Sequence, residues 1–480
     1  MYRVVIIGSG FSGLALGIRL KAIGIHDFII LEKAQEVGGT WRENTYPGAE
    51  CDIPSALYSF SFEPNPHWEY KWSHQPQILE YLRHCAQKYG LYPHIRFGQE
   101  VKAAHFQEKE AGWKIITQDN TTFFSQSLVS AVGQLHHPRI PSISGQEKFV
   151  GPSWHSARWN HDVPLEGKRV GVIGNAASAV QFIPQIAPRA GQLYIFQRSA
   201  NWMLPKQDRP YLDWEKKMAA RFPILLKLYR NQLWLKGGAL FFLMGQNQGL
   251  KKLAESYVKR YIQETVHDPI LQKKLIPDYP IGAKRILFSD DYYPTLNRSN
   301  VHLITENIQE ITEKGLRLRE GTEIDLDVII FGTGFQTNPF LMGLDVRGQA
   351  GKSIHEAWAK GAEAYLGITT SGFPNLFLMY GPNTNLGHNS IVIMSECQAH
   401  YISQCIATLK KHHFRSMDVK PEVQKAYNAE IQRRLQHSVW AQIEDSWYKS
   451  GGKITNNWPG RTMEYEARTR KVNYAAYRLS

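Results

Sequence analysis

Three glycines near the start of the chain, with a carboxylate behind them, have the types and spacing of a dinucleotide site. Gly8, Gly10 and Gly13 follow an apolar run at residues 4–7 and open an apolar stretch with helical character. In this arrangement the first glycine permits a tight turn, the second lets the backbone approach a pyrophosphate, and the third lets the helix pack on the strand. Glu32 ends the next apolar run, where a carboxylate can accept hydrogen bonds from ribose hydroxyls. The pattern predicts a strand, turn, helix and strand unit with a dinucleotide at the helix N-terminus.

A second turn of the same kind keeps only its first glycine, Gly174, and is followed by Ser178 within the predicted helix start. Ala176 replaces the glycine that would let backbone approach a pyrophosphate, which puts the pose of a ligand in question without excluding binding. The following apolar run ends in Arg198 and Ser199, where an NAD site would carry an acid. An arginine there suits a 2′-phosphate, so NADPH is favoured over NADH. The alternative is an ordinary exposed arginine at a strand end.

These two units are the elements that must position the ligand contacts, and a basic helical segment follows the second. Residues 206–260 hold twelve Lys or Arg against four Asp or Glu, with Leu, Phe and Trp interleaved. The segment is interpreted either as a solvated helical insertion or as a weak peripheral membrane contact. The most apolar stretch, residues 237–250, is shorter than the roughly 18 residues that a membrane-spanning helix needs.

Length, charge and cysteine content narrow the class of protein. A chain of 480 residues is expected to form more than one domain, and its net charge of +13 favours anionic partners. No element with the pattern of a groove-reading module is found, so nucleic acid is not an expected partner. The four cysteines include no CxxC pair, which argues against a disulfide framework and predicts a reducing, cytoplasmic location. No export leader and no metal site are predicted.

Residues 149–160, FVGPSWHSARWN, are the most specific segment of the chain. Phe149, Gly151, His155 and Trp159 match FxGxxxHxxxW, and the segment resembles the fingerprint of flavin-dependent Baeyer-Villiger monooxygenases, within the flavin-containing monooxygenase superfamily. It departs from the family at Asn160, where Pro or Asp is usual. The resemblance extends along nearly the whole chain, through GGTWRENTYPGAECD at 38–52, YSFSFEPNP at 58–66, KR at 284–285 and GPNTNLGHNS at 381–390.

The resemblance implies an α/β fold with two dinucleotide-binding, Rossmann-like domains, in which the NADP domain is inserted in the FAD domain and a helical insertion is added. Residues 327–335, DVIIFGTGF, are expected to be the strand that returns the chain to the FAD domain. The expected boundaries are 1–145 and 324–480 for the FAD domain, 162–205 and 279–323 for the NADP domain, 206–278 for the helical insertion and 146–161 for a linker that carries the fingerprint.

The resemblance also assigns cofactor contacts. It places the fingerprint histidine in a linker that couples domain movement to catalysis, so His155 is not expected to be a general base. Lys284 is expected to bind a nucleotide phosphate. The expected FAD contacts are Gly8, Gly10, Gly13, Glu32, Gly39, Thr40, Trp41, Gly334 and Asn389, and the expected NADPH contacts are Gly174, Ser178, Arg198, Ser199 and Lys284.

Oxygenation beside a ketone carbonyl is the chemistry that the resemblance implies. NADPH would reduce FAD, and dioxygen would then give a flavin peroxide that converts an apolar ketone to an ester or lactone. Arg285 is matched to the family's mobile active-site arginine, which would stabilise the oxyanion, and Asp52 to the carboxylate that positions it. From the residues alone, Asp52 could instead cap a turn and Arg285 could bind a phosphate.

Several alternatives stay open. The same nucleotide sites would serve a flavin monooxygenase that oxidises nitrogen or sulfur or hydroxylates an apolar chain. They would also serve a non-catalytic FAD and NADP sensor or a peripheral membrane scaffold. Residues 446–460 are predicted to be a mobile loop over the site. Six aromatic side chains are expected either to wall a cleft or to pack in the core: Trp41, Tyr46, Trp440, Trp447, Tyr448 and Trp458.

Overall fold

The strands fall into two main sheets and several short ribbons in a computed structural model that describes residues 1–245, 247–443 and 448–480. Trp447 and part of the predicted loop at 446–460 therefore lie outside the described residues. The strands are β1 (Tyr2–Ile7), β2 (Phe28–Leu31), β3 (Ile95–Arg96), β4 (Val101–Gln107), β5 (Gly112–Thr117), β6 (Thr122–Ser130), β7 (Ser153–His155), β8 (Arg169–Ile173), β9 (Gln192–Phe196), β10 (Met203–Leu204), β11 (Leu287–Phe288), β12 (Val301–Ile304), β13 (Ile308–Thr312), β14 (Gly315–Leu318), β15 (Glu323–Asp325), β16 (Val328–Phe331), β17 (Asp345–Arg347), β18 (Leu376–Leu378), β19 (Met417–Val419), β20 (Lys449–Ser450), β21 (Lys453–Ile454) and β22 (Tyr477–Leu479).

The helices cover the faces of the two main sheets and form the predicted insertion. They are α1 (Phe11–Ala22), α2 (Thr40–Glu43), α3 (Gln75–Lys88), α4 (Ala177–Ile186), α5 (Asp213–Arg221), α6 (Pro223–Met244), α7 (Gln248–Thr265), α8 (Pro269–Lys274), α9 (Tyr292–Thr295), α10 (Ile354–Ala357), α11 (Ile391–Lys411), α12 (Pro421–Gln436) and α13 (Thr462–Thr469).

The first sheet is built around the N-terminal strand. Its order is β17-β4-β5-β6-β1-β2-β3, with β18 also paired to β6, and β1 runs parallel to both β2 and β6. The apolar strand β2 is buried on both faces, as a central parallel strand must be. Helix α1 packs against α11 on one face, and a separate apolar cluster fills the other face.

The second sheet is parallel throughout, in the order β12-β9-β8-β16-β7. Strand β16 pairs with β8 through Val328 and Val170, so the prediction that residues 327–335 return the chain to the first sheet is wrong. Strand β7 also lies in the second sheet, which means that residues 146–161 are not simply a linker. The chain returns to the first sheet at β17 and β18 instead. The α/β class with two Rossmann-like sheets is confirmed.

Helices α5 to α8 lie within residues 206–278, the segment predicted to be a helical insertion. The buried side chain of Arg230, on α6, donates from one terminal nitrogen to the backbone oxygens of Ala56 (2.9 Å) and Leu57 (3.1 Å). The segment is thereby fixed to the first nucleotide unit. Within the described part of the chain, none of the helices is both long and apolar enough to cross a membrane.

Candidate active site

A cavity of about 1010 Å³ lies between the two glycine turns. It is bounded by the carboxyl ends of strands in both sheets, which is where α/β proteins bind their ligands. Fifteen of the side chains and glycines predicted as site residues line it, and the described structure thus brings these distant segments together: Gly8, Gly10, Glu32, Gly39, Thr40, Trp41, Asp52, Gly174, Ser178, Arg198, Ser199, Lys284, Arg285, Gly334 and Asn389.

A different structural feature explains the glycine at each of the three positions of the first turn. Gly8 has φ +100°, and a Cβ there would lie 2.7 Å from the backbone oxygen of Ala131. A Cβ on Gly13 would overlap the backbone oxygen of Gly8, so only glycine lets α1 pack this closely on the strand. Gly10 has no such neighbour. A Cβ there would lie 3.7 Å from the Gly39 Cα, and both glycines line the cavity. The backbone at Gly10 is therefore left accessible to a ligand.

Glu32 is buried at the end of β2, and its carboxylate is held by the turn and by two residues that follow β2. Its Oε2 accepts hydrogen bonds from the Ser9 backbone N–H (2.9 Å) and hydroxyl (2.6 Å), and its Oε1 accepts from the Ala34 N–H (3.0 Å). Arg42 forms an ion pair with the same carboxylate at 3.2 Å. The carboxylate is thus fixed at the cavity wall, where a ribose would meet it.

The second turn has nearly the same backbone conformation as the first. Gly174 has φ +102°, close to the +100° of Gly8. Ala176 precedes α4 with φ −80° and ψ −172°, and Gly10 precedes α1 with −77° and −167°. Because φ is negative, the alanine causes no backbone strain at this position. The departure at Ala176 therefore preserves the geometry of the turn.

A group of cationic and hydroxyl side chains lies where β9 ends. Arg198 is exposed and lines the cavity beside Ser199. The Lys284 Nζ donates to the Ser199 hydroxyl at 3.3 Å and lies 4.3 Å from the centroid of the Tyr279 ring. Two cations and a hydroxyl at one end of the cavity can bind a phosphate monoester.

Arg285 and Asp52 meet in the same cavity although 233 positions separate them in the chain. One terminal nitrogen of the guanidinium lies 3.3 Å from Asp52 Oδ2, and the Arg285 side chain keeps 40% exposure against 11% for Asp52. Burial opposes the charge of Arg285, but Asp52, with smaller contributions from Tyr448 and other neighbours, raises the guanidinium pKa above its ordinary value. The arginine is a permanent cation that still faces the cavity.

Gln181 is a site residue that the sequence did not indicate. Its Nε2 donates to the Glu50 backbone oxygen (3.0 Å) and to Asp52 Oδ1 (3.2 Å), while its Oε1 accepts from the Tyr46 hydroxyl (2.8 Å) and the Glu50 N–H (3.3 Å). Gln181 belongs to α4, the helix that starts at the second turn. One side chain therefore joins that helix to the carboxylate beside Arg285. A polar residue at a buried helical position was the only available signal.

The fingerprint residues pack beside the cavity and do not line it. A Cβ on Gly151 would lie 2.6 Å from the Asp327 backbone oxygen and 2.7 Å from the ring of Phe149. The Trp159 ring packs on Phe182 of α4 at 5.2 Å between centroids.

His155 ends β7 in the second sheet and is buried. Its ring centroid lies 5.9 Å from that of Phe335. Burial lowers the pKa of His155 to about 4, and its Nδ1 accepts from the Ala157 N–H at 3.1 Å. A neutral packed histidine agrees with the prediction of a structural role. Asn160 is the residue at which the chain departs from the family fingerprint. Its Oδ1 accepts a hydrogen bond from the Asp162 N–H at 3.0 Å and closes a turn.

The other residues that were predicted near the site lie partly in the core and partly at the cavity. Trp440 and Trp458 are core residues and do not wall the cavity. Residues 454–460 are buried, so the prediction of a mobile loop over the site is wrong for that part. Asn389 lines the cavity, but its side-chain amide donates to the Trp234 backbone oxygen of α6 at 3.2 Å.

Tyr46 and Trp41 line the cavity as expected. Tyr448 is buried. Burial raises the pKa of Tyr448 to about 12, although Arg285 acts in the opposite direction. The aromatic set is thus divided between the cavity and the core.

The chain matches known proteins over its whole length. A family model described as pyridine nucleotide-disulphide oxidoreductase matches residues 5–212. A Baeyer-Villiger monooxygenase of Pseudomonas aeruginosa is 43% identical, covering 100% of this chain and 91% of that protein. A Baeyer-Villiger monooxygenase of Streptomyces coelicolor is 40% identical, over 99% of this chain and 92% of that protein. The crystal structure of OTEMO in complex with FAD and NADP has a TM-score of 0.90 at 28% identity, covering 100% of this chain and 99% of that one.

The cysteines distinguish the chain from the disulphide-dependent members of the matched family model. Cys51, Cys85, Cys397 and Cys405 are all free thiols, and burial raises the pKa of each. None of them is set up to accept electrons from a flavin as half of a disulfide. With the full-length matches, this shows that the chain is an FAD- and NADPH-dependent flavin monooxygenase and belongs to the Baeyer-Villiger monooxygenase family.

Proposed function

We propose that this monooxygenase inserts oxygen beside the carbonyl of an apolar ketone, with Arg285 and Asp52 as its catalytic pair. The observation that carries the proposal is the 3.3 Å ion pair between these two side chains in the cavity that both nucleotide turns share. When bound, FAD and NADPH supply the reducing equivalents and the activation of dioxygen. The chain's own residues must bind these groups, exclude water and stabilise the charge that develops on the substrate.

The first turn fits FAD. Gly10 leaves its backbone open to the cavity, and the buried Glu32 carboxylate marks the ribose position. Gln134 also lines the cavity, and its buried Oε1 has no hydrogen-bond partner among the described residues, as expected of a wall that faces a polar ligand. We assign FAD binding to Gly8, Gly10, Gly13, Glu32, Gly39, Thr40, Trp41 and Gly334, with Asn389 acting through its backbone.

The second turn fits NADPH. Gly174 and Ser178 present the start of α4 to the cavity, and a helix N-terminus favours a pyrophosphate. Arg198, Ser199 and Lys284 form the group that suits a 2′-phosphate. The preference for NADPH thus rests on the cations that follow β9.

Arg285 suits the oxyanion that forms when an oxygen nucleophile adds to a ketone carbonyl. Its raised pKa keeps it charged, and its 40% exposure leaves N–H groups that Asp52 does not occupy. A fixed cation that is already oriented toward the developing charge stabilises it more than water would. Asp52 is itself held by Gln181, so the carboxylate orients the guanidinium.

The wall around Arg285 favours an apolar substrate. Tyr58 and Tyr380 lie close enough to interact electrostatically with Arg285, and both line the cavity. The Trp41 indole N–H donates to the Tyr58 hydroxyl at 3.1 Å, and the two rings meet edge to face. Leu386 adds an aliphatic side chain to the lining of the cavity.

A panel of cyclic and linear ketones, assayed by product mass and fragmentation, tests the proposal. The expected products are esters or lactones that form only with NADPH and air. Hydroxylated ketones as the main products, or turnover of thioethers and amines alone, would contradict oxygen insertion beside a carbonyl.

A further inference from the structure

Helix α6 carries an exposed apolar stripe along its whole length. Ile224, Leu228, Leu235 and Phe242 are spaced by four, seven and seven residues, which places them on one face of a helix. Helix α5 packs against α6 and exposes Trp214 and Met218, four residues apart. These six side chains, called the α5–α6 stripe below, are 42 to 63% exposed. An apolar surface of this extent marks an interaction site in most proteins.

The other face of α6 is occupied by the protein itself. Arg230 is bonded there to the 56–57 backbone, and the Trp234 backbone oxygen accepts from Asn389. A Cβ on Gly237 would lie 2.9 Å from the His388 backbone oxygen. The helix is therefore held with most of its stripe facing outward, while the Phe242 ring at its end lies 5.1 Å from the Arg461 guanidinium. Its inner face touches the segment that lines the cofactor cavity.

The charge around the stripe is mostly positive. Asp213 and Glu215 flank Trp214, but residues 216–254 contain eight Lys or Arg and no Asp or Glu. Lys217, Arg221, Lys227 and Lys236 among them are exposed. A surface with apolar side chains between cations has the character of a helix that lies in the plane of a membrane interface.

We propose that the α5–α6 stripe docks this enzyme onto the surface of an anionic lipid bilayer. The apolar side chains would enter the boundary between headgroups and acyl chains, and the surrounding cations would face the lipid phosphates. A second copy of the chain is a poorer occupant, because a two-fold interface would place these cations opposite one another. The inference is independent of the reaction proposed above.

Sedimentation with lipid vesicles tests the apolar half of the proposal. The full-length protein is expected to bind phosphatidylcholine vesicles that contain phosphatidylglycerol and to be released by high salt. Leu228→Glu is expected to weaken this binding by roughly tenfold or more, because an exposed side chain that would be buried in lipid becomes charged. Phe124→Glu, which changes a similarly exposed side chain on β6, is the matched control and should bind as the wild type does.

The cationic half is tested with Lys217→Gln combined with Lys227→Gln. Each lysine near an anionic bilayer contributes about 1 kcal/mol, so the double variant should bind about 25-fold more weakly. Equal binding to vesicles with and without phosphatidylglycerol, or unchanged binding of Leu228→Glu, would overturn the proposal. A dimer in solution that Leu228→Glu dissociates, without vesicle binding by the wild type, would assign the stripe to a second copy instead. Turnover of a soluble ketone without vesicles checks that each variant is folded.

Discussion

Replacing Lys284 by alanine should separate the two nicotinamide cofactors. Lys284 is held in place by the Ser199 hydroxyl at 3.3 Å and by the Tyr279 ring at 4.3 Å, so its cation is preorganised at the end of the cavity. A hydrogen bond to a charged group contributes about 1.5 to 3 kcal/mol, which corresponds to an increase of about 10- to 150-fold in the KM for NADPH. NADH lacks the 2′-phosphate, and its KM should change by no more than about threefold, since it never made that contact.

The assay follows oxidation of NADPH and NADH at saturating ketone in the wild type, in Lys284→Ala and in a control. Lys102→Ala is a suitable control because Lys102 lies on β4, outside the cavity, and donates to Asn120 Oδ1 at 2.6 Å. Equal increases in KM for the two cofactors would refute the assignment, since they would show that Lys284 supports the fold or a part that NADPH and NADH share. An unchanged KM for NADPH would refute it as well.

Three further changes test other parts of the site. In His155→Asn, the loss of unfolding free energy between pH 7 and pH 5, measured with urea, should be smaller than in the wild type by about 2 kcal/mol. The reason is that the unfolded histidine takes up its proton below pH 6.5, whereas the folded one does so only near pH 4. Gln181→Leu should lower kcat with a ketone about tenfold at unchanged KM for NADPH, because Asp52 loses a bond that orients it; a rise in that KM alone would contradict this role. Ala176→Gly should leave the KM for NADPH within about twofold, because the backbone angles there suit both residues; a large improvement would show that the alanine obstructs binding.

The first nucleotide unit could be predicted from sequence because its constraints are local. Gly8 needs a positive φ and Gly13 needs a site without a side chain, so neither position accepts another residue easily. Strand β2 ends at Leu31, directly before Glu32, and α1 begins at Phe11, within the glycine turn. The pairing of Asp52 with Arg285 came from the resemblance to the family and from no local pattern, since these residues meet only through the fold.

The placement of β16 could not be predicted because its sequence suits either sheet. Val328 to Phe331 is a buried apolar run that fits any central parallel strand, and only its pairing with β8 and β7 decides where it lies. Gln181 was missed for a related reason: its partner Asp52 is 129 residues away, on a different nucleotide unit. Residues 454–460 look polar enough for a surface loop, but several of their oxygens accept hydrogen bonds inside the protein. Asn383 donates to the Ile454 and Asn457 backbone oxygens, and Asn385 donates to Asn457 Oδ1.

The most direct test of the proposed chemistry compares ketone and thioether oxidation in Arg285→Ala. Loss of one oxyanion donor typically costs about 10² to 10³ in kcat, so ester formation should fall by about that factor. Sulfoxide formation, which creates no oxyanion, should stay within about threefold of the wild type. Arg189→Ala, which removes an arginine paired with Glu166 outside the cavity, is the control. Ester formation at the wild-type rate in Arg285→Ala, or an equal fall in both products, would contradict the role of Arg285 as the group that stabilises the oxyanion.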